Sequence, residues 1–179
     1  MGNDDIRAAV GRVQRILGRK PEAGLTDDAR AVAQWQGGLR IVSRHAGGHE
    51  VVTDMPTGLG GAGDRASPGW LFRSGLASCL ATTIALHAAA RGIALTHLAV
   101  TAESRSDVRG LLGLTAADGS AVHPGCRDVS LQVAIAADGA SAEALRSLVA
   151  DSEHLAPISA VLAAGVPATV CVRIGDGSA

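Results

Sequence analysis

Aromatic residues are scarce in these 179 residues: there is no Tyr, one Phe and two Trp. A chain so poor in rings lacks the stacking platforms that hold unpaired bases. An excess of either charge is missing too. Sixteen basic residues face 17 acidic ones, for a net charge of −1, and this balance points to neither nucleic acid nor a membrane as partner. The three cysteines, Cys79, Cys126 and Cys171, are too few and too widely spaced for a secreted disulfide framework. No C-x-x-C pair occurs, and no other spacing forms a recognisable metal set. The N-terminus, Met-Gly-Asn-Asp-Asp-Ile-Arg, is acidic and lacks the apolar core of a signal peptide, so the expected compartment is a reducing cytoplasm. Residues 69–90 are apolar but rich in small residues and hold Arg73, Ser78, Thr82, Thr83 and His87. That pattern suits a buried helix rather than a membrane span, which needs about 20 strongly apolar residues.

What is present suits one compact domain, with 47% hydrophobic and 18% charged residues. Ile6, Val10, Val13, Ile16 and Leu17 recur at helical spacing, so residues 4–18 are expected as an amphipathic helix, ended by Pro21 and followed by a linker over 20–30. Short strands are expected over 31–53. Gly37-Gly38 marks a turn, and Gly47-Gly48 closes a hairpin between Leu39–His45 and His49–Thr53. Residues 56–67 are glycine-rich and read as flexible. Ser67 as N-cap and Pro68 at the first helical position open a long helix to Arg91, stopped by Gly92. Leu95–Val108 reads as a long strand. Val129, Leu131, Val133 and Ile135 put one apolar face on a strand over 127–137. Ser141 caps a helix with Leu145, Leu148 and Val149 inward, Pro157–Ala164 adds a short helix, and Val166–Ile174 is expected as a closing strand. This order implies an α+β fold with helices packed on an antiparallel sheet.

Several chemical motifs fail on context. Gly58-Leu-Gly60-Gly-Ala-Gly63 matches G-x-G-x-x-G, but Asp54-Met-Pro56 breaks the strand before it. The helix opens only at Ser67-Pro68, and no acidic residue occurs between Asp64 and Glu103. His45 and His49 could meet across a hairpin turn, where solvated histidines are the ordinary reading. Gly75-Leu-Ala-Ser78 is mid-helix and is not a nucleophile elbow. Cys79 remains. It shares a helix face with Phe72, Leu76, Thr83 and Leu86 or His87. A thiol there is either an inert core residue or, where water and positive charge reach it, a thiolate nucleophile. Arg73 is the nearest cation in sequence, yet it lies about 120° around the helix. It would have to reach round or act on a Cys79 of another subunit.

The run Pro68-Gly-Trp-Leu-Phe-Arg-Ser-Gly-Leu-Ala-Ser-Cys79-Leu-Ala-Thr-Thr resembles the signature of the OsmC/Ohr family. Trp35-Gln-Gly-Gly-Leu-Arg-Ile-Val is similar to its opening strands, and Thr53-Asp54-Met-Pro56 with the glycines after it to its link into the central helix. Arg91-Gly-Ile-Ala-Leu-Thr-His-Leu-Ala-Val, Pro157-Ile-Ser159 and Gly165-Val-Pro167 are similar to later parts of the family pattern. The resemblance covers roughly residues 30–174 and divides the chain into an N-terminal helical extension and linker, 1–28, and an OsmC-like domain, 29–179. It implies an antiparallel sheet wrapping a long central helix in an intertwined homodimer. It also implies thiol peroxidase chemistry on organic hydroperoxides or hydrogen peroxide. One cysteine, matching Cys79, attacks the peroxide, a second condenses with the resulting sulfenic acid, and an arginine holds the thiolate. In the hydroperoxide-resistance branch a glutamate holds that arginine.

The chain departs from this pattern in two places. Ala156, before Pro157-Ile158-Ser159, stands where the second cysteine belongs, and Gly69 stands where the glutamate belongs. Arg40, Arg44, Arg73 and Arg109 are candidates for the arginine, with Arg73 favoured. Cys126, in a Pro124-Gly125 turn, and Cys171 read as structural. The expected activity is therefore thiol-dependent peroxide reduction through Cys79, resolved by an external thiol reductant and without metal or other cofactor. The alternative is a non-catalytic small-ligand-binding protein on the same fold. A third reading is an assembly role for the helix at 4–18.

Overall fold

The computed structural model describes residues 2–175. Helix α1 spans Asn3–Arg19 and lies against the central helix α2, Pro68–Ala90. A short 3₁₀ turn over Pro21–Gly24 follows α1 inside the expected linker. Strands β1 (Ala31–Trp35), β2 (Ile41–His45) and β3 (Glu50–Thr53) form an antiparallel meander with β2 in the middle. Gly37 and Gly48 sit in its turns at positive φ, which glycine adopts without a Cβ penalty.

The caps expected for α2 form. Ser67 Oγ accepts the Trp70 N–H at 3.2 Å, and Pro68 occupies the first turn. At the other end Gly92 turns left-handed. Its N–H bonds the Ala89 carbonyl and the Ile93 N–H bonds that of Ala88, the Schellman pattern that stops a helix. Strands β4 (Leu95–Arg105) and β5 (Arg127–Ala137) pair antiparallel over their length. A bulge between Leu95 and His97 lets Leu95 and Leu98, an odd number of residues apart, both face inward. β4 is shorter than expected because Asp107 caps the short helix α3, Val108–Leu111, with Oδ1 accepting the Arg109 N–H at 3.0 Å. Helices α4 (Ala142–Leu155) and α5 (Pro157–Ala164) are the last elements, helix or strand, among the described residues. The α4 cap is Ser141, whose Oγ accepts the Ala144 N–H at 3.1 Å.

The core is small. Leu80, Ile84 and Ala88 of α2 meet Leu148 of α4 and Ala156, and all five are almost wholly shielded from water. Leu95, Leu98 and Val100 of β4 and Leu131, Val133 and Ile135 of β5 pack on this cluster as alternating residues of one sheet face. Leu145 and Val149 of α4 also pack there, as expected, whereas Val129 stays exposed.

Two expectations need correction. Residues 166–174 are not a strand: they pair with nothing among the described residues, and Val166, Val170, Val172 and Ile174 are exposed. Their alternation satisfies a strand's side-chain pattern, but a strand also needs a neighbouring edge to take up its backbone hydrogen bonds. Residues 56–67 are not a loose glycine tether either. They contain a 3₁₀ turn, Thr57–Leu59, and fold back on Asp54. No helix among the described residues is long and apolar enough to cross a membrane.

Candidate functional site

Cys79 lies half-buried on α2, packed at the edge of the core cluster, and is a free thiol. One helical turn away, Thr83 Oγ1 donates to the Cys79 carbonyl at 2.9 Å, so the threonine hydroxyl is spent on the backbone and not on the sulfur. His87 turns to α4. Ser152 Oγ donates to the Leu148 carbonyl at 2.7 Å, and His87 Nδ1 lies 3.1 Å from Ser152 Oγ, placed to donate to that hydroxyl oxygen. His87 therefore ties α2 to α4 and does not serve as a base for Cys79.

The start of α5 comes to the same stretch of α2. Ile158 Cδ1 lies 3.6 Å from where a Cβ on Gly75 would stand, an ordinary van der Waals distance, so α5 packs on α2 one turn before Cys79. Ala156, two residues before Ile158, is wholly buried in the cluster against which Cys79 packs. The position where the family pattern carries its second cysteine is thus beside the thiol's own surroundings, and it is filled by a methyl group.

The expected pairing of Arg73 with Cys79 is not made within the chain. Arg73 Nη1 donates to Ser104 Oγ on β4 at 3.3 Å, and its guanidinium lines a polar cleft with Ser106, Asp128 and Ser130. The angular offset read from the sequence is the reason: six residues along a helix point Arg73 at β4 while Cys79 points at the core. Arg109 is committed to Asp107, with Nη2 2.6 Å from Oδ2. Arg44 pairs with Glu50 at 2.5 Å and with Gln34.

Arg40 is held differently. Its Nε and Nη2 reach Asp54 Oδ2 at 3.3 and 3.0 Å, and Nη2 also bonds Asp64. Asp54 is only 3% exposed. Its carboxylate accepts the Met55 N–H at 2.7 Å and the Ala62 N–H at 3.4 Å. The Met55 N–H above all, then Arg40 and the Ala62 N–H, hold its pKa below the usual carboxylate value against the opposing effect of burial. Gly61 makes this possible: a Cβ there would stand 1.8 Å from the Met55 carbonyl oxygen and 2.7 Å from Asp54 Oδ1. The glycine-rich stretch is therefore a collar around a buried carboxylate that fixes a guanidinium. Arg40 was one of four candidates in the sequence. What sequence reasoning missed was its anchor, and the signal was there in Asp54 and Asp64 bracketing the Gly60-Gly61 pair.

The remaining candidates do not assemble. His45 and His49 approach across the hairpin with ring centroids 6.1 Å apart, but both are exposed, and His45 Nδ1 accepts the Gly47 N–H at 2.9 Å. No cluster with metal-ligand character occurs among the described residues. Cys126 is half-buried and free. Cys171 is free and exposed on the unpaired 166–174 segment, so the structural role expected of it in a strand is not what the described fold provides.

With this geometry in place, comparison with known proteins identifies the class. A family profile described as "OsmC-like protein" matches residues 61–170, which is more than half of the chain, and the chain belongs to that family. Among solved structures, an OsmC-like protein from Mycoplasma pneumoniae superposes with a TM-score of 0.64 at 17% identity, over 78% of this chain and 89% of that one. An OsmC-like protein of unknown function from Vibrio cholerae gives 0.61 at 13% identity, over 75% and 93%. An organic hydroperoxide resistance protein from Legionella pneumophila gives 0.53 at 23% identity, over 77% and 90%. These likenesses establish the α+β fold of the family. No curated protein matches the chain.

Proposed function

We propose that this protein reduces organic hydroperoxides or hydrogen peroxide at Cys79 and is returned to its resting state by an external thiol. The observation that carries the reading is the placement of Cys79: a free, half-buried thiol on the central helix of an OsmC-like fold, beside the start of α5. The organic hydroperoxides are chosen by analogy with the Legionella protein, whose name refers to organic hydroperoxide resistance. In the first step the Cys79 thiolate attacks the distal peroxide oxygen. The O–O bond breaks, the alkoxide leaves as an alcohol after taking a proton, and Cys79 becomes a sulfenic acid. Ala156 offers no thiol to condense with it. A reductant thiol attacks the sulfenic sulfur and water leaves. A second equivalent attacks the mixed disulfide, which releases the Cys79 thiol and the reductant's disulfide.

The working unit in this reading is a homodimer, located in the cytoplasm. Two features support the dimer. α2 holds one Arg and one His and is otherwise built of apolar and small residues, yet its large apolar side chains Trp70 and Leu86 are 51% and 41% exposed. Large apolar side chains left open on one helix are a feature of surfaces that a partner covers. The β1–β3 sheet, likewise, has no substantial packing on any helix of its own chain. In such a dimer the sheet brings Arg40, already oriented by Asp54 and Asp64, to the interface. We therefore assign the thiolate-holding role to Arg40 in preference to Arg73, whose guanidinium is engaged at β4.

The test is steady-state consumption of cumene hydroperoxide with dithiothreitol as reductant. Cys79→Ser is expected to abolish turnover. Arg40→Ala is expected to lower it about tenfold or more, the scale of losing one charged stabilising group, and Arg73→Ala to lower it less. Full turnover by Cys79→Ser would overturn the reading and leave a ligand-binding role for the fold.

A further inference from the structure

Helix α1 lies outside the stretch matched by the family profile, and its two halves are used differently. In the first half, Ile6, Ala9 and Val10 are half-buried where the helix lies on α2, and Asn3 Nδ2 donates to the Ile93 carbonyl at 3.2 Å. In the second half Leu17 packs down on the following turn, its Cδ2 3.6 Å from where a Cβ of Gly24 would be. Val13 and Ile16 belong to the same apolar stripe, yet they are 54% and 56% exposed. The stripe continues past the surface that it covers.

Charge follows the same division. Residues 6–21 carry five cations (Arg7, Arg12, Arg15, Arg19 and Lys20) and no acidic residue. Arg7 pairs with Asp4 at 2.9 Å. Among the described residues the other four make no ion pair. Arg12, Arg15 and Arg19 stand at i, i+3 and i+7, so they share one side of the helix. With Ile16 they wall a shallow depression of about 210 Å³. Asp4 and Asp5 sit at the far end, about 15 Å away at 1.5 Å per residue, beyond a Debye length at physiological ionic strength, and Glu22, in the 3₁₀ turn after α1, follows as a single carboxylate beside four cations. The net charge of −1 for the whole chain averages over this local asymmetry.

We propose that the second half of α1 is a docking surface for an anionic lipid bilayer. The guanidiniums of Arg12, Arg15 and Arg19 and the Lys20 ammonium meet headgroup phosphates, while Val13 and Ile16 enter the boundary between headgroups and acyl chains. The complementarity is specific to that occupant. Guanidinium forks suit phosphate oxygens. Two exposed aliphatic side chains beside the cationic ridge suit an apolar layer under the charge, the arrangement of an interfacial helix. A nucleic acid would use the ridge and leave Val13 and Ile16 in water, and the helix offers no ring to stack on a base. The inference does not depend on the redox chemistry of Cys79.

The test is flotation of the full-length protein with vesicles of phosphatidylcholine containing phosphatidylglycerol, against vesicles of phosphatidylcholine alone, with heparin affinity measured in parallel. Association is expected only with the anionic vesicles, and it should weaken as salt rises. The triple variant Arg12→Glu, Arg15→Glu, Arg19→Glu should bind on the order of 100-fold more weakly, since each basic residue near an anionic surface contributes a several-fold factor. The corresponding triple Lys variant should keep most of the binding, which shows that a folded helix with its charge intact suffices. The double variant Val13→Ser, Ile16→Ser should lose vesicle binding and keep its heparin affinity. Equal binding to neutral and anionic vesicles, or none to either, would overturn the proposal. So would a Val13/Ile16 double variant that floats like the parent, which would mark a general polyanion site. A triple Glu variant that turns a dimer into a monomer would overturn it in favour of a second copy as the occupant.

Discussion

In the body of the molecule, where α2, α4 and the β4–β5 hairpin meet, Leu80, Ile84, Ala88, Leu148 and Ala156 are sealed from water within one chain. In the β1–β3 sheet, Val42 is the one apolar side chain of the strands that is buried, and it still keeps 8% of its surface exposed. The sheet's best-built feature is polar: the Asp54 carboxylate with Arg40, Asp64 and two backbone N–H groups around it. Apolar burial is non-directional and needs only a partner surface, so it makes the body self-sufficient. A buried carboxylate network is directional and fixes one geometry, but it contributes little area. The sheet is therefore precise and short of cover. A second copy of the chain would supply the cover, while the network fixes where Arg40 points.

Three perturbations would break or sharpen this contrast. The largest effect is expected in the body. Ile84→Ala should cost about 2–5 kcal/mol, because the site is fully enclosed and a cavity remains, and chemical denaturation followed by far-UV circular dichroism measures it. Gly61→Ala is expected to be smaller, about 1–3 kcal/mol, because the added methyl forces the Met55 carbonyl aside. Its diagnostic consequence is a weakened dimer and lowered turnover with the helical signal unchanged, read by sedimentation and activity together. A loss of helical signal in Gly61→Ala would show that the two regions are not independent.

The mildest perturbation is acid. Asp54 has a folded pKa below its unfolded value, so its contribution is fully present above about pH 4 and is lost as pH falls through the lower folded value. Trp35, whose Nε1 donates to the Gly38 carbonyl at 2.9 Å, reports on the sheet. In a Trp70→Phe background its fluorescence should change on acidification before the helical signal does. Asp54→Asn should remove that early step, and coincident transitions in the Trp70→Phe protein would argue against a separate sheet unit.

Much of the body was legible in the sequence because its signals are local. Ser67 with Pro68, Ser141, and Gly92 are capping residues that act within a few positions. The strand at 127–137 shows its face by period alone. What was not legible depends on contacts distant in sequence. The alternation in 166–174 predicts a strand, but no pattern within a segment says whether an edge is waiting for it. The glycines of 56–67 read as slack, whereas Gly61 is required by the approach of its backbone to Met55 and Asp54. Arg73 stood nearest to Cys79 in sequence, and helical phase sent it to Ser104. The family signature around Cys79 was legible. That Ala156 and Cys79 pack on one cluster needed the fold.

The central claim, a peroxide-reactive Cys79 without an internal resolver, is tested most directly by intact mass after brief exposure of the reduced protein to cumene hydroperoxide with a sulfenate trap. Cys79→Ser and Ala156→Cys are run in parallel. The account predicts one trap adduct on the parent protein, none on Cys79→Ser, and on Ala156→Cys a loss of two hydrogens in place of the adduct, because residue 156 lies in the cluster that Cys79 touches. An unmodified parent under excess peroxide would contradict it and make Cys79 a core residue of a binding protein. A loss of two hydrogens in the parent would contradict the external-resolver step and assign that role to Cys126 or Cys171.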